Sequence, residues 1–147
     1  MKLTTRSRYG TRMVLDIAQH ADEGPVRIGD IAKRQKVSVK YLEKLIRELR
    51  DAGLVTSRRG PKGGHVLGRA AEDISVGEVV RVLEGNRHLV YCVRGKEKCE
   101  RSDHCLTRKL WHIASEAMFE KLDSISFADL VNDQANCLAG RGIGQNS

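Results

Sequence analysis

The sequence predicts a mainly α fold with a small β-wing: a winged helix-turn-helix domain followed by a long C-terminal dimerisation helix. Three observations carry this. Two short helical stretches joined at Lys36-Val37 are followed at once by a basic, glycine-centred hairpin. The positive charge sits in the same half of the chain: Met1 to Arg69 holds 16 Lys and Arg against 7 Asp and Glu, whereas Ala70 to Ser147 holds 10 against 12. Beyond a polar stretch with three of the four cysteines, Leu106 to Asp123 reads as a single amphipathic helix.

At 147 residues the chain is one domain, or one domain with an appendage. An apolar fraction of 40% supports a core, and with 4% aromatics that core must be mostly Leu, Ile, Val and Ala. No apolar run approaches the roughly 18–20 residues that span a bilayer, and MKLTTRSRYG has no secretory h-region. The expectation is a cytoplasmic protein with no membrane partner. Thiols there stay reduced, and cysteines serve metals or redox chemistry more often than structural disulfides. A basic half joined to a near-neutral half suggests a polyanion-binding module joined to something else.

Tyr9, Met13, Val14 and Ile17 recur at helical spacing and predict a first helix from about Thr5 to Ala21, capped by Thr4 or Thr5. Arg6, Arg8 and Arg12 lie on its polar side, where cations oppose the helix dipole unless an anion such as a phosphate is near. Gly24-Pro25 breaks the chain, and a short helix follows from about Ile28 to Gln35. Ser38 is a good N-cap for a helix from Val39 to Ala52, with Leu42, Leu45, Ile46 and Leu49 inward and Gly53 as its stop. Its outward face carries Lys40, Glu43, Lys44, Arg47 and Arg50. That is the grammar of a recognition helix. Leu54 to Arg58 and His65 to Leu67 read as strands around a turn from Gly60 to Gly64, which makes a wing with Arg58, Arg59 and Lys62 at or near its tip. Arginines on a thin loop suit phosphates or a narrow minor groove. GPKGG lacks the GxxxxGK[ST] of a phosphate-binding P-loop.

Ser75-Val76-Gly77-Glu78 is a capping box that opens a helix to about Leu83. In the helix after Cys105, Leu106, Leu110, Ile113, Ala114, Ala117 and Leu122 form an apolar stripe that Trp111 and Met118 widen. A helix this long in so small a domain asks for a partner face, and a two-fold dimer seam supplies one. Ser126 caps a last short helix from Phe127 to about Asn132, and the glycine-rich end from Leu138 reads as disordered. The chain divides into a DNA-binding domain over 1–84, a cysteine loop over 85–105, a dimerisation helix with a short terminal helix over 106–137, and a tail over 138–147.

Cys92, Cys99 and Cys105 are separated by six and five residues. Structural zinc sites favour shorter knuckles. A polar loop can wrap an iron–sulfur cluster, and Arg94, Lys96, Lys98 and Arg101 would stabilise thiolates. Spacing alone leaves a cluster, zinc, a thiol switch and ordinary cysteines all open.

KLTTRSRYGTRMVLDIA, the segment from GPVRIGDIAKR to GGHVLGR, ISVGEVVRVLEG, the three loop cysteines, CLTRKLW and LDSISFADLV resemble the Rrf-two superfamily of regulators, closest to its IscR branch. The resemblance covers the chain to about Val131. It implies a homodimeric winged-helix repressor on a double-stranded DNA operator, with no enzymatic activity and no small-molecule substrate. In cluster-binding branches the loop cysteines hold an Fe–S cluster that senses iron, redox state or nitric oxide; here they would be Cys92, Cys99 and Cys105. Two departures stand out. Arg108 occupies the place of the IscR-type ligating His, and Arg8 that of an acidic ligand used in another branch. A guanidinium does not ligate iron. The fourth ligand is open among His104, which adjoins Cys105, Asp103, His112, Cys137 and a small exogenous group. The cluster type, 2Fe–2S or 4Fe–4S, is open as well.

Ser38, Lys40, Tyr41, Glu43, Lys44 and Arg47 of the recognition helix, Arg8, and wing residues Arg58, Arg59 and Lys62 are the residues expected toward DNA. The resemblance matches Glu43 and Arg59 to family positions, while Lys40 and Lys44 differ from the small and amide residues of the IscR branch, which implies a different operator. Glu43 would tune which sequences are accepted, since a carboxylate accepts from cytosine N4 and repels phosphate. The alternative within the superfamily is a metal-free repressor of the CymR type, controlled by thiol oxidation or a partner protein.

Overall fold

The computed structural model describes residues 3–85, 100–101 and 103–138. Among them run α1 (Thr5–Gln19), α2 (Ile28–Gln35), α3 (Val39–Asp51), β1 (Val55–Arg58), β2 (Gly64–Leu67), α4 (Val76–Glu84), α5 (Leu106–Asp123) and α6 (Phe127–Leu138). The strands form a two-stranded antiparallel sheet pairing Val55 with Leu67 and Arg58 with Gly64. The predicted mainly helical, winged architecture is the one observed.

Local chemistry sets the element ends. Thr4 accepts from the Arg6 N–H at the start of α1, and Ser38 accepts from Tyr41 N–H at the start of α3. The capping box of α4 is complete: Glu78 N–H donates to Ser75 Oγ at 3.2 Å while Ser75 N–H donates to Glu78 at 3.0 Å. Ser126 and Asp129 make the same reciprocal pair at α6. Two boundaries differ from expectation by more than one residue. α1 stops at Gln19 and passes into a 3₁₀ turn over Ala21–Glu23, where Gly24 takes φ +97°. α6 runs to Leu138 rather than Asn132, because neither Gly nor Pro intervenes between those residues. The tail beyond Leu138 lies outside the described residues.

The core gathers one stripe from each helix of the first half: Met13, Val14 and Ile17 from α1, Ile31 from α2, Leu42, Leu45 and Leu49 from α3, and Val79 and Leu83 from α4. Phe127 joins them fully buried, although it follows the long helix in sequence. Its N–H donates to Ile74 O at 3.0 Å and Val76 N–H donates to Ile125 O at 2.9 Å, so the start of α6 is stitched back onto the winged half.

α5 is different. Of its 18 residues, about 27 Å at 1.5 Å per residue, Ser115 alone is buried. Its C-terminal end docks on α4, where Arg81 pairs with Asp123 at 2.6 and 2.7 Å and stacks over Phe119. Gly77 makes that docking possible, since a Cβ there would fall 1.9 Å from Asp123 Oδ1. Toward its N-terminal end the stripe faces outward: Leu106 is 83%, Leu110 53% and Ile113 56% exposed.

Candidate nucleic-acid interface and thiol site

The turn between α2 and α3 is closed by Lys36, whose φ of 54° is the only positive value among the described non-glycine residues. It aims α3 so that its apolar stripe is buried while Lys40, Glu43, Lys44 and Arg47 are exposed together on the outward face. Ser38 is exposed and uses an oxygen lone pair as the cap, which leaves its hydroxyl proton to donate outward. Tyr41 is half-buried. Its ring meets Tyr9 edge-on at 6.0 Å and its hydroxyl donates to Thr5 Oγ1 at 3.1 Å, so it braces α3 against α1.

The wing presents Arg58, Arg59 and Lys62, all exposed. Two contacts that sequence reading missed support it. Val26 exchanges backbone hydrogen bonds with His65 at 2.9 and 2.7 Å, and Arg27 donates to Pro61 O at 2.5 Å. The segment before α2 thus fixes the wing relative to the helix-turn-helix. His65 Nδ1 lies 3.3 Å from Ser57 Oγ, and its pKa is pushed down by burial and by the charge of Arg50.

The three first-helix arginines have separate fates. Arg8 is exposed, as a phosphate contact requires. Arg6 is not free for an outside anion: its Nε donates to Leu83 O at 2.9 Å and its Nη2 pairs with Glu48 of α3. Arg12 donates to Gln35 Oε1 at 2.8 Å and lies over the Tyr9 ring. Packing supplies Arg6 with a carboxylate and Arg12 with an amide oxygen and a ring face.

Two buried carboxylates hold the assembly. Asp16, 1% exposed, accepts from Arg34 and Gln35 of α2. Glu84, 8% exposed, accepts from Thr4 N–H at 2.9 Å, Thr4 Oγ1 at 2.7 Å and Ser7 Oγ at 2.5 Å. A signal for both was present: each acid falls on the apolar side of its helix, Asp16 among Met13, Val14 and Ile17, and Glu84 four residues after Val80.

Cys92 and Cys99 of the thiol loop, and the side chain of Cys137 in α6, lie outside the described residues. Cys105 is described, and stands at the N-cap of α5 with Sγ 3.2 Å from Thr107 Oγ1. Its thiol is held below the ordinary range by that hydrogen bond first, then by the backbone N–H of Arg108, with the Arg101 charge adding to the effect. Asp103, His104, Arg108 and His112 line a concavity beside it. Among the described residues no three His, Cys, Asp or Glu side chains stand close enough to hold a metal ion. No helix among them is long and apolar enough to cross a membrane.

A capped helix-turn-helix with a basic outer face and a braced basic wing defines a winged-helix DNA-binding regulator. Comparison with known proteins narrows the class. Residues 3–133 match the family model Rrf2, described as iron-dependent transcriptional regulator. Protein rrf2 of Nitratidesulfovibrio vulgaris is 56% identical over 137 residues, 93% of this chain and 91% of its own. The HTH-type transcriptional regulator IscR of Erwinia tasmaniensis is 45% identical over 134 residues, covering 91% and 81%. Among solved structures, T. potens IscR superposes with a TM-score of 0.75 at 40% identity over 91% of this chain and 88% of that one. CymR, the global cysteine regulator of B. subtilis, superposes with a TM-score of 0.75 at 38% identity over 90% and 97%. The chain belongs to the Rrf2 family of transcriptional regulators, and its relatives are regulators rather than enzymes.

Proposed function

We propose that this regulator binds its operator as a homodimer under the control of an Fe–S cluster held by Cys92, Cys99 and Cys105. The observation that carries the reading is the Cys105 thiol. It stands at the head of α5 with Thr107 and the Arg108 N–H favouring thiolate, the form that ligates iron. The donor chemistry fits a cluster. Bound there, the cluster would supply a reversible redox and iron-dependent state. Arg101 and Arg108 would offset its negative charge. Asp103, His104 and His112, which line the same concavity, are the fourth-ligand candidates nearest Cys105.

DNA contact falls to Ser38, Lys40, Glu43, Lys44 and Arg47 on α3, with Tyr41 at the edge of that face, to Arg8 on α1, and to Arg58, Arg59 and Lys62 on the wing. In a two-fold dimer the two α3 helices enter successive major grooves, roughly 34 Å apart. The exposed side chains of Leu106, Leu110 and Ile113, at i, i+4 and i+7 on α5, support a second copy as the partner. Leu110→Glu then yields a monomer in sedimentation equilibrium, and a dimer unaffected by that change removes the α5 seam.

Anaerobic reconstitution with iron and sulfide tests the cluster. The expected result is visible absorption with matching iron and sulfide content, lost in Cys105→Ser. A colourless, iron-free protein whose DNA binding is unaltered sinks the reading. A second reading, a metal-free thiol-controlled repressor, draws on the same lowered Cys105 thiol and on the CymR likeness. Peroxide-dependent loss of DNA binding in iron-free protein would favour it.

A further inference from the structure

We propose that Arg27 is a positioning residue for DNA recognition, which holds the wing tip at a fixed place relative to the recognition helix. This rests on the reading of Arg58, Arg59 and Lys62 as DNA contacts, and it is independent of the cluster. The wing needs such a hold. A two-stranded hairpin is marginal by itself in water, and the turn of this one carries glycine at 60, 63 and 64. Gly60 takes φ +116°, which suits glycine, and glycine leaves the backbone of a tip loosely restrained. A cation on a loose tip reaches any phosphate, but fixing it against one costs conformational entropy.

The strand behind the tip is tied first. The backbones of Val26 and His65 exchange hydrogen bonds, and Gly64 lies so close that a Cβ on it would fall 2.7 Å from Val26 O. Arg27 extends this tie to the tip. It stands at the N-cap of α2, where Ser, Thr, Asp or Asn would accept from helix N–H groups and where a cation opposes the helix dipole. Its side chain makes no cap bond. Its carbonyl alone serves the helix, accepting from the N–H of Asp30 at 3.0 Å and of Ile31 at 3.2 Å. The guanidinium crosses to the wing instead, and Nη2 donates to Pro61 O at 2.5 Å. That oxygen belongs to the peptide joining Pro61 to Lys62, two residues after Arg59. One residue therefore has its backbone in α2, which leads through the turn at Lys36 into α3, and its side chain on the peptide between two wing cations. The span from α3 to the wing tip is set across this contact. Arg27 is itself exposed, so a direct phosphate contact is the competing role.

The test uses full-length wild type, Arg27→Met, the double variant Arg59→Ala/Lys62→Ala, and all three changes together. Met keeps an unbranched apolar stem and removes the donors and the charge. Each protein is titrated against a fluorescent duplex selected from a random pool by the wild type and against a scrambled duplex, and hydrogen exchange is followed in the free protein. Arg27→Met should weaken binding to the selected duplex by about threefold to tenfold, and to the scrambled one by less than about twofold. Added to Arg59→Ala/Lys62→Ala, the same change should cost less than about twofold, because the tip has no cation pair left to place. Exchange in the free protein should rise at Gly60, Lys62 and Gly63 and stay unchanged in α1 and α3. Equal losses on both duplexes that persist without the two wing cations would mean that Arg27 touches phosphate itself, and would overturn the proposal. A rise in exchange that spreads through α1 and α3 would overturn it too, since Arg27 would then be a general stabiliser. If Arg59→Ala/Lys62→Ala binds as the wild type does, the reading of the wing as a DNA contact fails. If that double variant binds weakly and the loss from Arg27→Met simply adds to it, the wing reading stands and the positioning role alone falls.

Discussion

Arg34 meets the buried Asp16 with two nitrogens, Nη2 at 2.6 Å from Oδ1 and Nε at 3.0 Å from Oδ2. Gln35 adds a third donor at 2.9 Å. The pair fixes the helix before the recognition turn to the helix that carries the core, so the aim of α3 depends on it.

Removing the cation should strand the carboxylate. Arg34→Ala is expected to lower unfolding free energy by about 2–4 kcal/mol, somewhat under the cost of breaking a wholly buried pair because Arg34 is partly in water. Burial alone would raise the Asp16 pKa, but the hydrogen bonds from Arg34 and Gln35 outweigh it and hold the group below its ordinary 3.8. The folded protein thus binds this proton less readily than the unfolded chain. The stabilisation is present above about pH 4 and is lost as pH falls through the folded value. Urea midpoints of wild type and Arg34→Ala at pH 7 and pH 3 check this. The gap between them should narrow in acid.

His65 has the opposite chemistry and the same direction of effect. Burial, with the Arg50 charge, keeps its folded pKa below 6.5. Below that pH the unfolded chain takes up the proton first, so the wing should weaken as pH drops from 7 toward 5. His65→Gln, which cannot titrate, should flatten that slope. Hydrogen exchange at Val26 and His65, whose backbones bond to each other, reads it directly. A slope that survives the substitution assigns it to other groups.

Gly77→Ala places a methyl against Asp123 and should push the end of α5 off α4, breaking the Arg81 ion pair. A loss of about 1–3 kcal/mol is expected from such overpacking. Asp123→Ala in the same background should recover part of it, because the displaced group is then gone. Urea denaturation of the single and double variants decides. Additive losses would mean that the two residues do not share one contact.

On DNA the wing and the recognition helix should separate by kind. Arg59→Ala is expected to weaken binding to all sequences and to reduce the salt slope by about one. Glu43→Ala should instead relax sequence choice while changing the salt slope little. Anisotropy titrations against matched and mismatched duplexes over a range of salt distinguish the two. Uniform loss for Glu43→Ala would count against a specificity role.

Much of this molecule was legible before any coordinates. Caps at Thr4, Ser38 and Ser75, the stop at Gly53, the inward stripe of α3 and the glycine hairpin are local devices, and local devices are written in consecutive residues. The exposed basic faces followed from the same periodicity. The thiol site was legible as spacing and by resemblance; of its three cysteines, Cys105 alone lies among the described residues. The partners of Arg6 and Arg12 were left open, and the structural roles of Glu84, Arg27 and Phe127 were unseen. Their partners lie from 23 to 80 residues away, or in Phe127's case across the whole core.

The sequence by itself determined the class of protein, because helix periodicity, capping and charge segregation are properties of neighbours along the chain. It determined that a thiol would stand at the head of a long amphipathic helix, since Cys105 directly precedes it. Only the tertiary structure decided which charges are available to a ligand. A guanidinium takes the nearest well-placed acceptor, and that distance exists only once α1, α3 and α4 have packed. So Arg8 remains exposed while Arg6, two residues earlier on the same helix, joins the end of α4 to the recognition helix.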